Sequence, residues 1–209
     1  MLDLLSIRRI KAALVCSLAM SIALLLVGCS SGASKGVTQH GSTADTTTVA
    51  RTGYHPAKTV TYGASWAITY NDLKSLKQAA DLGVIGAITK ASAVTTDQSK
   101  HVFTDFVFTV KTTLLDPGRR LSGASIIVHQ TGGVVGSTLY QMEDDPLFEI
   151  GEQAVLFLHE YSPGHYFVVG GPSGRFVVQN GVVSPINDEG IALGKSPTEA
   201  AFIAMVQQA

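Results

Sequence analysis

Cysteine is nearly absent from this chain: there are two, Cys16 and Cys29, and none beyond position 29 in 209 residues. The later part of the chain therefore has no disulfide and no thiol nucleophile, and its stability must come from packing and hydrogen bonds. Charge of one sign is missing too. Fifteen Lys and Arg stand against sixteen Asp and Glu, a formal net charge of −1, which leaves no electrostatic footprint for nucleic acid. There is no Gly-x-Ser-x-Gly elbow, and no constellation points at a triad. Long apolar runs are absent but for one, from Ala12 to Val27, broken only by Ser17 and Ser21. That run of about 16 residues is shorter than the roughly 20 needed to cross a bilayer as a helix.

The run is informative through its flanks. Arg8, Arg9 and Lys11 precede it and small residues follow it, the order of a secretory signal. It closes on Leu26-Val27-Gly28-Cys29, which resembles the lipobox of bacterial lipoproteins. The resemblance implies diacylglycerol on the Cys29 sulfur, cleavage between Gly28 and Cys29, and often a third acyl chain on the freed amine. Two or three acyl chains hold a protein far more firmly than one. Residues 1–28 are thus expected to be a lipoprotein signal peptide with a signal helix. The mature protein would sit on the extracytoplasmic face of a membrane, with membrane lipid as a partner through acylated Cys29. Ser30 rather than Asp follows Cys29, so no inner-membrane retention signal is evident. Removing three cations and one carboxylate (Arg8, Arg9, Lys11, Asp3) moves the net charge from −1 to about −3. Residues 29–58 are rich in Ser, Gly and Thr and poor in large apolar side chains, the composition of a flexible tether.

Residues 59–209 have the size of one domain with room for a core. Asn71 is a candidate N-cap for a helix over 72–80, with Leu73, Leu76 and Ala80 on one face and Gly83 after it. Ser196-Pro197-Thr198-Glu199 reads as a capping box opening a helix to about Gln207, with Ala200, Ile203, Ala204 and Gln207 on one side. Between them the pattern is β. Strands are expected at 84–90, 102–115, 125–130, 153–160, 165–169, 175–179 and 182–184, the last two joined by the hairpin signal Asn180-Gly181. The fold class that follows is mainly β with flanking helices (α+β), as a small antiparallel barrel or sandwich.

The succession Ala80-Asp81-Leu82-Gly83-Val84-Ile85-Gly86, Phe106-Val107-Phe108-Thr109-Val110, Ile126-Ile127-Val128, Phe148-Glu149-Ile150-Gly151-Glu152 with Gln153–Leu158, and Val168–Phe176 is similar to the netrin and tissue-inhibitor type of OB-fold found in bacterial secreted proteins. It spans roughly residues 70–184 and implies a small OB-like barrel. The animal inhibitors of that type depend on a free N-terminal cysteine and several disulfides. An acylated Cys29 supplies neither, so inhibitory chemistry is not implied.

Candidate sites divide among a few features. Gly190–Ser196 has three residues between its glycines where a phosphate loop needs four, and Pro197 removes an amide, so it reads as a turn before the last helix. Gly170-Gly171-Pro172-Ser173-Gly174 reads as a structural turn, with Arg175 facing solvent or paired with a carboxylate. Glu143, Asp144, Asp145 and Glu149 lack the ligand spacing of a calcium loop. His129, His159 and His165, with Glu160, are the candidate set for a metal-dependent enzyme or small hydrolase, although no ligand-spacing motif supports them. The stretch between Gln130 and Gln153 is too long for a tight hairpin and is expected to be a binding loop. Gly132, Gly133, Gly136, Tyr140, Asp144 and Asp145 are its candidate contact residues. The favoured expectation is a non-catalytic module without cofactor or metal that binds a protein or envelope component and not nucleic acid. The metal-dependent enzyme or hydrolase is the alternative.

Overall fold

Strict alternation makes the strands of this protein, and one unbroken apolar run makes its central one. The computed structural model describes residues 56–63, 65–97 and 101–209. The expected signal segment, Cys29 and all but the last three residues of the tether lie outside the described residues. In chain order the elements are β1 (Lys58–Tyr62), α1 (Leu73–Ala79), β2 (Leu82–Thr96), β3 (Val102–Leu115), β4 (Ser125–Val135), β5 (Thr138–Met142), β6 (Gln153–Ser162), β7 (His165–Val168), a 3-10 turn (Gly171–Gly174), β8 (Arg175–Gln179), β9 (Val182–Pro185) and α2 (Glu199–Gln208). Strands dominate and two helices flank them, as the sequence pattern implied.

Five strands close a ring. β2 pairs antiparallel with β3, and β3 with β4. β7 lies parallel to β4 with Val128 opposite Tyr166. β6 pairs antiparallel with both β7 and β2, which completes the circuit. Beyond the ring, β8 and β9 extend the sheet from β6, while β5 and β1 extend it from the far half of β4. Gly86 marks a close approach between β2 and β3, where the pairing register shifts. A Cβ there would lie 2.1 Å from the Thr109 carbonyl oxygen, so only glycine lets the backbones meet and bend.

Alternate residues of β3 and β4 turn inward: Phe106, Phe108, Ile126 and Val128 meet Leu82, Val84, Ile88 and Tyr166 in one core. The segment after β5 adds Leu147 and Phe148 to it, Phe148 meeting Phe106 edge-on at 5.4 Å. A second core lies on the other side of β6. There Ile85, Val155 and Phe157 pack against Leu73 and Leu76 of α1, Phe176 and Val183, and Phe202 and Val206 of α2. β6 is thus buried on both faces from Ala154 to Leu158. This is why its sequence is a continuous apolar run rather than an alternating one.

Both helices start later than their sequence signals suggested. Asp72, not Asn71, caps α1 by accepting from the Ser75 amide at 2.8 Å. Thr198, not Ser196, caps α2 by accepting from the Ala201 amide. The cause of the second shift is tertiary. The Val183 amide donates to the Pro197 carbonyl and the Glu199 amide to the Gly181 carbonyl, so the backbone through Thr198 is held extended against β9 and the helix begins only at Glu199. The buried face of α2 is accordingly Phe202 and Val206 rather than the small-residue side.

Candidate functional site

A row of aromatic rings lies on the outside of the ring of strands. On β3 the residues alternating with the core are Phe103, Asp105 and Val107. Asp105 sits opposite His129 of β4, and Phe167 of β7 sits opposite His159 of β6. Tyr161 enters at an irregularity in β6, where the pairing with β7 shifts between Glu160 and Ser162. The rings touch in sequence. Phe103 stacks on His129 at 4.9 Å and 19°, and His129 meets Phe167 edge-on at 5.2 Å. Phe167 meets Tyr161 at 4.4 Å. Tyr161 and Phe167 are 45% and 40% exposed, among the most exposed large hydrophobic residues described.

Polar groups frame the row. His129 Nδ1 lies 2.5 Å from Asp105 Oδ1, a contact that holds the imidazole in place. His159 Nδ1 lies 2.7 Å from Asp81 Oδ2. Arg120 binds Glu160 at 2.6 Å and Asp81 at 3.3 Å. The Arg120 hydrogen bond, joined by one from the Gly164 amide, holds the Glu160 carboxyl below its ordinary value. Burial and then the nearby Asp105 charge push the Tyr161 hydroxyl above its ordinary value. Burial raises Tyr166, inside the ring, to about 12.

Trp66 ends the row. Its indole Nε1 donates to Asp144 Oδ2 at 2.5 Å, and its ring lies on Gly171, where a Cβ would come within 2.6 Å of it. Gly171 has φ +54, so the position is closed to other residues by both conformation and contact. Tyr70 continues this strap, its amide donating to Ser173 Oγ. The Gly170–Gly174 turn therefore cradles the chain's own Trp66–Tyr70 segment. Between Trp66 and Phe167 a cleft of about 60 Å³ reaches His129, Gln130, Thr131 and Asp145.

The six residues expected in a binding loop fall in three places. Gly132 and Gly133 belong to β4 and pair with Gln141 and Tyr140 of β5, and Gly136 turns the β4–β5 hairpin at φ +59. Tyr140 stacks with Tyr62 at 6.2 Å. Asp144 holds Trp66, and Asp145 is 5% exposed and ion-paired with Arg175 at 2.9 Å. Of the six, only Asp145 lines the cleft beside the aromatic row. The stretch from 131 to 152 thus contains the end of β4, a tight hairpin and β5 rather than one long loop. Arg175 takes the carboxylate alternative. It is 2% exposed and gives its donors to Glu152, Asp145 and the Pro146 carbonyl.

His129, His159 and His165 lie on β4, β6 and β7. Among the described residues no group of three or more His, Cys, Asp or Glu is arranged to hold a metal ion. His129–Asp105 and His159–Asp81 are imidazole–carboxylate pairs, the orienting half of a general base. No described serine or threonine hydroxyl hydrogen-bonds to either histidine, so neither pair is joined to a nucleophile.

The aromatic row was missed in the sequence, although one signal was present. Phe103 falls on the same side of β3 as Asp105 and Val107, an aromatic where alternation calls for solvent. The other members are brought in by β4, β6 and β7, whose neighbourhood is set by ring closure. No family model, curated protein or solved structure matches this chain.

Proposed function

We propose that this chain is a lipid-anchored extracytoplasmic binding module, held by acylated Cys29 on the 29–58 tether. Its ring of strands is an OB-type barrel that docks an envelope component on the aromatic outer face. The order β2-β3-β4-β7-β6, with its single parallel pair at β4–β7, supports the barrel assignment, since it is a five-stranded Greek-key circuit. OB-folds bind through the face of their second and third strands and the adjoining loops. The corresponding strands, β3 and β4, carry Phe103, Asp105 and His129.

The observation that carries the reading is the contiguous row Phe103, His129, Phe167 and Tyr161, in which Phe167 and Tyr161 are exposed and Phe103 and His129 are half-buried. Exposed aromatics joined into one surface are the usual anchors of an interface. The row's one histidine, His129, is committed to Asp105 and, among the described residues, to no hydroxyl nucleophile, which favours binding over hydrolysis. The test is co-sedimentation of the purified full-length chain, in detergent micelles, with washed insoluble envelope. The variants Phe167→Ala and Tyr161→Ala should lose retention, while Gln208→Ala, on an exposed position of α2, should keep it. Equal retention of all four proteins would refute the assignment of this face.

A further inference from the structure

We infer that Phe167, Tyr161 and Ile68 form a contact surface for the lipid leaflet that holds Cys29, so that the domain rests on its own membrane through a second, reversible attachment. This rests on the reading of the aromatic face as the docking surface and on the Cys29 anchor. It names the envelope component as the boundary between lipid headgroups and acyl chains.

Apolar exposure selects the place. Ile68, Tyr161 and Phe167 are 62%, 45% and 40% exposed, three of the five most exposed large hydrophobic residues described. Chain geometry brings them to one edge of the molecule. Trp66 and Phe167 wall the same cleft, and the Ile68 carbonyl lies 3.4 Å from where a Gly170 Cβ would stand. The strap from Trp66 to Ile68 therefore runs beside the end of β7. Phe167 and Tyr161 pack on one another at 4.4 Å, which makes a single ridge of two rings. Aromatic rings beside an exposed aliphatic side chain suit the lipid interface, where apolar area is buried while polar tips stay wet.

The charged groups around the ridge favour lipid over a protein. A protein interface is set by hydrogen bonds and ion pairs that cross it. Here Asp105 is set on His129, Asp81 on His159, and Arg120 on both Glu160 and Asp81. These charges are already paired within the fold, and the acyl boundary demands no directional partner. Arg120, committed in this way, is not a free cation for acidic headgroups. The contact is carried by apolar area and should not depend on ionic strength.

The anchor makes so small a surface sufficient. From Cys29 to His55 the chain has 27 residues (29–55), and a flexible chain of that length has a root-mean-square span of about 30 Å. The chain arriving from the anchor passes through β1 directly into the strap that carries Trp66 and Ile68. Contact with the leaflet is then intramolecular, at an effective concentration on the millimolar scale. Three side chains too few to hold a free protein on a bilayer are enough to seat one that is already tied to it.

The test reconstitutes the full-length chain into phosphatidylcholine vesicles whose acyl chains are brominated near the headgroup end. The readout is the fluorescence of Trp66, the single tryptophan of the chain, which bromine quenches only at close range. Relative to unbrominated vesicles, the native chain and Gln208→Ala should be quenched. Ile68→Ser and Phe167→Ala should each lose most of that quenching while still floating with the vesicles. Ile68→Ser alters the most exposed of the three side chains, so an unchanged thermal midpoint separates a lost contact from a lost fold. Absence of quenching in the anchored native chain, or equal quenching in all four proteins, would overturn the inference. Quenching abolished by raising salt from about 0.1 to 1 M would also overturn it, in favour of electrostatic adsorption. Envelope retention that depends on Phe167 and Tyr161, without bromine quenching, would remove lipid as the partner and leave the docking face standing. Retention unaffected by either substitution would remove the face itself. A native chain that does not float with the vesicles would remove the anchor and this inference together, a case that the intact mass at Cys29 identifies.

Discussion

Replacing Arg175 by methionine puts a buried charge cluster, Arg175 with Asp145 and Glu152, to the test. The guanidinium donates to Glu152 through Nε at 3.2 Å and Nη2 at 2.8 and 3.0 Å, to Asp145 at 2.9 Å and to the Pro146 carbonyl at 2.5 Å. Its central carbon lies 3.9 Å from the centroid of the Phe148 ring. Methionine preserves much of the packing and removes every donor, leaving two largely buried carboxylates without a cation. Breaking a buried pair from one side costs about 3–5 kcal/mol. For a domain of this size that corresponds to a fall in midpoint of roughly 6–20 °C. Urea unfolding at pH 7, followed by circular dichroism and Trp66 fluorescence, measures it.

The pH dependence gives an independent check. Burial, only partly offset by Arg175, already raises the Asp145 carboxyl. A carboxyl with a raised folded pKa favours the fold while protonated. That contribution is fully present below its unfolded value of about 4 and is lost as pH rises through the folded value. Without Arg175 the folded value climbs further, so the deficit of Arg175→Met should shrink between pH 7 and pH 5. Adding Asp145→Asn and Glu152→Gln should recover part of the loss at pH 7. A deficit below about 1 kcal/mol, less than a typical buried charged hydrogen bond, or one that grows on acidification, would refute the reasoning.

Three further outcomes are expected. Gly86→Ala should destabilise the domain by about 2 kcal/mol or more, as overpacking against the Thr109 carbonyl requires the β2–β3 backbones to part; an unchanged urea midpoint would contradict the close approach. Glu160, lowered chiefly by Arg120, should support the fold above its unfolded value near 4.5 and lose that support as pH falls through the lower folded value. A carboxyl titration by NMR should show this shift move back up in Arg120→Ala and stay in place if the pair is unimportant. Cys29→Ala should accumulate uncleaved precursor without palmitate label, and intact mass of the native protein should start at Cys29; a mature chain beginning elsewhere would rule out the lipobox assignment.

Local pattern determined much of this protein. The bounds of β3, Val102–Leu115, coincide with the expectation, because strict alternation over a long stretch leaves one way to bury a face. β8 and β9 meet through Asn180 and Gly181 at φ 51 and 74, left-handed positions these two residues adopt readily. The segments where local pattern was insufficient are those held by distant chain. β1, unremarkable as Lys-Thr-Val-Thr-Tyr, becomes a strand by parallel pairing with β5. Gly132 and Gly133 read as loop residues, yet they are strand because β5 folds back on them. α2 begins at Glu199 because β9 captures the backbone of 197–199. The aromatic face belongs wholly to this second class. Phe103, His129, Tyr161 and Phe167 come from four strands, and no local propensity relates them. Only closure of the ring, with β7 alongside β4, sets their outward positions edge to edge, since a side chain's neighbours across a sheet are decided by strand order and register rather than by sequence distance.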